Sequence, residues 1–265
     1  EPNPYSYLPL NFKYFFVIAY KGTTFNGWQN QKDGKSVQEA VEEALSAILK
    51  KPITIHGCGR TDTGVHAENY VFHVLLPEVE QTHFLFKLNN KLPAQIAIKQ
   101  MFPVETKANA QLDAISRTYT YYVHLEKDPY LNNFSTYYFI ENLDFELIKK
   151  ACDLIPTVRD YRNFCIDPYK HTSTHCTLRN VKMHLHSDKK RIAFRFEGDH
   201  YLRSMIRLLV GELLEVGKGR TSLEDFEGYL NLRIKKPKHH KAFAQGLHLS
   251  AISYPFFKTD LPELF

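Results

Sequence analysis

The sequence predicts an α+β fold made of two successive βαββαβ halves. Three observations carry this. Strand-like and helical apolar periodicities alternate along the chain in the same order twice. Helix-start and helix-stop residues fall between them. The composition is that of an ordinary globular chain, 265 residues with 43% hydrophobic residues, 12 Gly and 13 Pro.

Phe12 to Tyr20 is aromatic and β-branched and reads as a strand. Ser36-Val-Gln-Glu39 is a capping box opening a helix, with Val37, Ala40, Val41, Ala44, Leu45, Ile48 and Leu49 on one face and Pro52 as its stop. Ile53 to Cys58 and Tyr70 to Leu76 read as strands, His83 to Leu92 as a short helix and Gln95 to Phe102 as a strand. The order then repeats. Arg117 to Leu125 is a strand and Asp144 to Ile155 a helix with Phe145, Ile148 and Cys152 inward. Leu178 to His186 and Arg191 to Glu197 form a hairpin around Ser187-Asp188. Tyr201 to Val216 is the longest helix, closed by Gly217. A small helix, Leu223 to Leu230, precedes a last strand from Leu247 to Tyr254.

Each half is a split βαβ, or ferredoxin-like, arrangement. Joined edge to edge, the two make one extended, mainly antiparallel sheet with helices on one face and a central cleft. The expected division is 1–110 and 111–265. The halves share element order but not residue identity.

A chain this long buries a full core, which excludes disordered and collagen-like classes. Apolar runs are short of the roughly 20 residues that span a membrane, and no secretory signal is visible. The four cysteines, Cys58, Cys152, Cys165 and Cys176, are widely spaced without a C-x-x-C. A reducing, cytoplasmic setting is therefore expected rather than a disulfide framework.

The net charge is +5, and its distribution says more than its size. Residues 179–241 hold 15 Lys or Arg against 8 Asp or Glu, ending in Arg233-Ile-Lys-Lys-Pro-Lys-His-His-Lys241. A concentrated basic stretch in a chain with 36 aromatic residues points to a polyanion, nucleic acid first. The competing reading is a solvated loop that keeps the protein soluble. Lys235, Lys236 and Lys238 are the candidate phosphate contacts.

The segment His56-Gly-Cys-Gly-Arg-Thr-Asp-Thr-Gly-Val-His66 stands out, with glycines directly after a strand and Arg60, Asp62 and His66 between or beside them. Glycines let another backbone or a ligand approach closely. The ordinary reading is a turn capped by Asp62, with Arg60 paired to it and His66 solvated. The phosphate-loop pattern G-x-x-x-x-G-K-[ST] is absent. On the longest helix Arg203 and Arg207 lie one turn apart, either as snorkelling flank residues or as partners for a carboxylate.

At these residues the sequence resembles the TruA-type tRNA pseudouridine synthases. Gly59-Arg-Thr-Asp-Thr-Gly-Val-His-Ala67 is similar to their G-R-T-D-A-G-V-H-A signature, with Thr63 for the usual Ala. Tyr20-Lys-Gly-Thr-Thr-Phe-Asn-Gly-Trp-Gln-Asn-Gln31 resembles the Y-D-G-T-x-F-x-G-W-Q-x-Q opening, and Arg117-Thr-Tyr-Thr-Tyr121 the R-x-Y-x-Y motif. Tyr201-Leu-Arg-Ser-Met-Ile-Arg-Leu-Leu-Val-Gly211 resembles F-x-x-x-M-V-R-x-x-V-G, and Gly246-Leu-His-Leu249 the G-L-x-L motif.

The resemblance implies a doubled ferredoxin-like fold and isomerisation of uridine to pseudouridine at neighbouring positions of the tRNA anticodon stem-loop. It implies Asp62 as the catalytic carboxylate, Arg207 as its paired cation, and Tyr119 as the tyrosine packing on the base. Leu247 would line the pocket, and Arg60 would fill the stack vacated by an extruded uridine. It also implies a homodimer, no cofactor and no metal. Attack at C1′, addition at C6 and a glycal route all remain open for the aspartate.

Three departures bear on RNA recognition rather than on the reaction. Ala108 and Gln111 stand for the Phe and Arg of an F-x-A-R run, Phe243 for a proline, and Ser204 for a histidine. Cys165, His171, His175 and Cys176 offer four metal-ligand types, but without paired C-x2-4-C spacing they read as a polar loop. The rival functions are a non-catalytic RNA-binding or RNA-folding protein, which has no chemical reason to keep Asp62, Tyr119 and Arg207, and a hydrolase using Asp62 and His66.

Overall fold

A computed structural model of the chain describes residues 12–236 and 240–265. They contain nine strands, mostly antiparallel, and five α-helices, an α+β fold. The chain divides into two compact units. One holds the residues up to Ile115 together with Leu249–Pro262; the other holds Ser116–His248 and Glu263–Phe265.

The first unit runs β1 (Phe12–Tyr20), α1 (Val37–Leu49), β2 (His56–Gly57), β3 (His66–Leu76), α2 (Gln81–Lys91) and β4 (Ile96–Val104). β4, β1 and β3 lie side by side, β1 antiparallel to both, and β2 pairs with the far side of β3. This 4-1-3-2 order is that of the split βαβ unit. The Ser36 hydroxyl accepts from the Glu39 N–H at 3.0 Å, the N-cap half of the capping box.

β1 is buried on both sides, because alternate side chains meet different cover. Phe15 packs with Tyr254 and Phe256 of the returning segment, at ring distances of 5.3 and 5.7 Å. Phe16 stacks on Phe72 at 4.9 Å, and Phe72 in turn meets Trp28.

The second unit runs β5 (Ser116–His124), β6 (Thr136–Tyr137), α3 (Phe145–Leu154), β7 (Leu178–Leu185), β8 (Arg191–Gly198), α4 (Met205–Gly217) and α5 (Leu223–Leu230). The strand order is β5-β8-β7, antiparallel, with the short β6 parallel to β5. One face presents the buried rows Tyr119–Phe196–Val181 and Tyr121–Phe194–Met183. The last strand, β9 (Leu247–Ser253), begins in this unit and continues into the first.

Three element starts differ from the sequence expectation by more than two residues, and one helix end differs in its closing residue. The second strand shrinks to His56–Gly57, although Ile53 and Ile55 are buried. β3 starts at His66, because the His66 Nδ1 accepts the Gly22 N–H and draws that end of the strand inward. The long helix starts at Met205 rather than Tyr201. Ser204 has φ +58°, and the Tyr201 hydroxyl is bonded to the Arg117 and Phe196 carbonyls. Finally, Gly217 closes α4 from inside; the left-handed residue is Gly219, at φ +70°.

The candidate active site

Asp62 sits half-buried on the loop between β2 and β3, in the first unit. Its carbonyl accepts the Val65 N–H at 3.1 Å across a tight turn. The third residue of that turn, Gly64, has φ +81°, a value that position of a type II turn reserves for glycine.

The opening motif forms the seat of this loop. Its two glycines lie against the loop backbone. A Cβ on Gly22 would fall 1.9 Å from the Val65 carbonyl oxygen, and one on Gly27 would fall 2.3 Å from that of Thr61. The Tyr20 and Thr61 hydroxyls are hydrogen-bonded at 2.9 Å. Trp28 donates its backbone N–H to the Thr61 carbonyl at 3.4 Å, and its ring stacks on Tyr70 at 4.0 Å. Arg60 is exposed between these anchored neighbours. His66, solvated in the ordinary reading, is instead buried.

Tyr119, Arg207 and Leu247 belong to the second unit. Tyr119 lies on β5, buried, with its ring edge-on to Tyr201 at 5.1 Å. Burial pushes the Tyr201 phenol well above its ordinary pKa, so it remains a donor to two carbonyls at working pH. Arg207 is half-buried in the first turn of α4. Its Nε donates to the Ala242 carbonyl at 2.7 Å, and Ala242 N–H donates to the Arg207 carbonyl at 3.0 Å. The next carbonyl, of Phe243, accepts the Tyr121 hydroxyl at 2.9 Å. Thus residues 242–243 link the arginine to β5, and a few residues on the same segment becomes β9 at buried Leu247.

The basic run differs from expectation at one of its three candidate lysines. Lys235 is exposed, and Lys238 lies outside the described residues. Lys236 is buried. Its Nζ lies 2.7 Å from the Glu212 carboxylate on α4, held by charge proximity rather than an aligned hydrogen bond, with the Phe164 ring at 5.7 Å. Glu212 also accepts the Thr221 hydroxyl at 2.7 Å. A lysine enclosed in this way is not placed to meet a phosphate. Sequence alone held no sign of it, because the partner is 24 residues away on another element.

Among the departures, Phe243 is 58% exposed, and Ala108 is buried with its carbonyl accepting the Lys13 ammonium at 3.0 Å. Among the described residues no group of three or more His, Cys, Asp or Glu is placed to hold a metal ion, and no helix is long and apolar enough to cross a membrane. The four cysteines are buried, and none forms a disulfide among the described residues.

Comparison with known proteins decides the family. The sequence matches the family described as tRNA pseudouridine synthase over residues 16–111 and 158–255. The chain belongs to the tRNA pseudouridine synthase family. The matched segments contain Arg60, Asp62, Arg207 and Leu247, while Tyr119 falls between them.

A tRNA pseudouridine synthase A of Porphyromonas gingivalis is 36% identical over 248 residues, covering 92% of this chain and 97% of that protein. Proteins of the same name from Parabacteroides distasonis and Nostoc are 35% and 33% identical, covering 92% and 91% of this chain and 96% and 86% of theirs. Members of the pseudouridine synthase family are isomerases, and this chain is one of them. Sequence reading missed the seat of the Asp62 loop. The motif Tyr20 to Gln31 was recognisable as a pattern, but its job of receiving residues 61–65 shows only in three dimensions.

Proposed function

We propose that the protein converts uridine to pseudouridine in the anticodon stem-loop of tRNA, with Asp62 as the catalytic carboxylate. The observation that carries this reading is the Asp62 loop. A family signature occupies a turn seated on two glycines and tied at both ends, which fixes the backbone that carries this carboxylate.

The reaction needs little else. The N1–C1′ bond breaks, the base turns, and C5 joins C1′; C5 then loses a proton and N1 gains one. No electrons leave or enter, so the balance requires no redox partner. The roles the resemblance gives to Tyr119, Arg207, Leu247 and Arg60 belong to this proposal: packing on the base, counter-charge, pocket lining and filling of the vacated stack. Lys235 and Lys238 are the proposed phosphate contacts, and Lys236 is withdrawn from that set because it is buried on Glu212. A homodimer in the cytoplasm, with one RNA touching both subunits, completes the reading.

The test is incubation of the purified protein with tRNA transcripts, followed by position-resolved mapping of pseudouridine. Product confined to the anticodon stem-loop supports the proposal. Tight binding without product supports an RNA-binding protein on the same scaffold, and release of free uracil supports a hydrolase.

A further inference from the structure

The Asp62 loop has a second support that the reaction as described does not use. Tyr70 lies on β3 and is fully buried. Its hydroxyl donates to the Gly59 carbonyl at 2.5 Å and takes a longer contact, 3.4 Å, from the Gly59 N–H. Its ring is stacked on Trp28 at 4.0 Å and 25°. The chain passes directly over this pair. A Cβ on Gly57 would fall 2.0 Å from the Tyr70 hydroxyl and 2.5 Å from the Trp28 Nε1.

The chain is therefore tied at successive points on its way to the aspartate. Gly57 belongs to the β2–β3 ladder, Cys58 N–H donates to the Val71 carbonyl at 2.9 Å, Gly59 meets Tyr70, and Thr61 meets Tyr20. Two of these ties, at Gly59 and Thr61, are made by side-chain hydroxyls, and that at Gly59 can be deleted without disturbing packing. A phenylalanine keeps the ring and its stack on Trp28 and loses the hydroxyl alone.

We infer that Tyr70 is a positioning residue for pseudouridine formation. Its hydroxyl fixes Gly59, and through the next three residues it fixes where the Asp62 carboxylate stands. The inference rests on the reading of Asp62 as the catalytic group. Its energetic logic is that of pre-organisation: a carboxylate displaced by about 1 Å loses on the order of a hundredfold in rate while the RNA-binding surface is untouched.

The experiment compares the parent with Tyr70→Phe, Tyr161→Phe and Asp62→Asn in single-turnover reactions with enzyme in excess over tRNA. Tyr161 is the control. It is equally buried, its hydroxyl donates to the Ile155 carbonyl at 2.7 Å, and it belongs to the second unit rather than to the one that holds Asp62.

Tyr70→Phe is expected to lower the saturated single-turnover rate by about tenfold or more and to leave the tRNA Kd within about threefold. Tyr161→Phe is expected to lower the melting temperature at least as much and to leave the rate at the parental value. Gly57→Ala, whose Cβ would fall 2.0 Å from the Tyr70 hydroxyl, pushes the same hydroxyl out of place and is expected to lose rate in the same sense, so the inference stays testable should Tyr70→Phe fail to fold.

Parental rates in Tyr70→Phe and Gly57→Ala, or equal rate losses in Tyr70→Phe and Tyr161→Phe, overturn the inference. Product from Asp62→Asn overturns the catalytic reading itself. An inactive Asp62→Asn beside a fully active Tyr70→Phe removes only the role of Tyr70.

Discussion

Lys236 shows how far a residue's surroundings override its type. In sequence it is one lysine of a basic run; in the structure it is enclosed, with Glu212 as its counter-charge. Removing one member of such a pair leaves an uncompensated charge in a site with little water. Lys236→Met is therefore expected to lower unfolding free energy by about 3–5 kcal/mol, and the double change Lys236→Met with Glu212→Leu to recover most of it. Urea denaturation at neutral pH measures both.

His248 gives a second prediction at this scale. It is buried edge-on against Tyr122, its Nε2 lies 2.7 Å from the Phe134 carbonyl, and burial lowers its pKa to about 4. The folded pKa lies below the unfolded value of about 6.5, so between the two the unfolded chain holds more protons. The stabilisation is complete above about pH 6.5 and is lost as pH falls toward 4, by about 3 kcal/mol in all. His248→Gln is expected to flatten the fall in urea midpoint across that window; a slope equal to the parent's would show that His248 is not held neutral.

At the level of elements, local signals served the sequence well where they decide structure locally. The capping residue Ser36 and the helical face from Val37 fixed α1, and the β-branched and aromatic runs found β1, β5, β7 and β8. They failed where a distant partner decides. β2 is two residues long because the Ile53 and Ile55 N–H groups donate to Ser46 and Glu42 of α1 instead of to a neighbouring strand, and α4 begins late because Tyr201 is held by Arg117 and Phe196. β6 was missed because two residues carry no periodicity.

The seat of the Asp62 loop belongs to the same class, since Gly22 and Gly27 precede it by some 40 residues. Gly27→Ala must both strain a φ of +76° and push back the Thr61 carbonyl. It is expected to lower the single-turnover rate between about tenfold and a hundredfold, with a melting temperature that still reports a folded protein at the assay temperature. An unchanged rate would mean that the loop tolerates displacement.

Across the whole molecule, the doubled βαββαβ order was legible because it depends on the sequence of periodicities, not on boundaries. The division between units falls at Ile115 rather than at residue 110, and β9 joins the first unit for most of its length. A final strand shared in this way has no local signature.

The candidate catalytic residues were legible only through their motifs. Taken singly, Asp62 reads as a turn residue, Tyr119 as a core aromatic and Arg207 as a helix flank. The charge distribution is likewise a property of the whole chain. Lys235→Ala with Lys238→Ala is expected to weaken tRNA binding and to lower the log–log salt slope by about 0.7–0.9 for each phosphate no longer neutralised. An unchanged slope in a filter-binding titration would make the run a solubilising loop.

The central claim is that this chain makes pseudouridine in tRNA through Asp62. Pseudouridine yield from the parent and from Asp62→Asn, on one tRNA transcript under single-turnover conditions, tests it most directly. The change keeps the side chain's size and removes its charge. The account predicts product from the parent, none from the variant, and tRNA affinities within about tenfold of each other, or about 1.4 kcal/mol. Measurable pseudouridine from pure Asp62→Asn would contradict it.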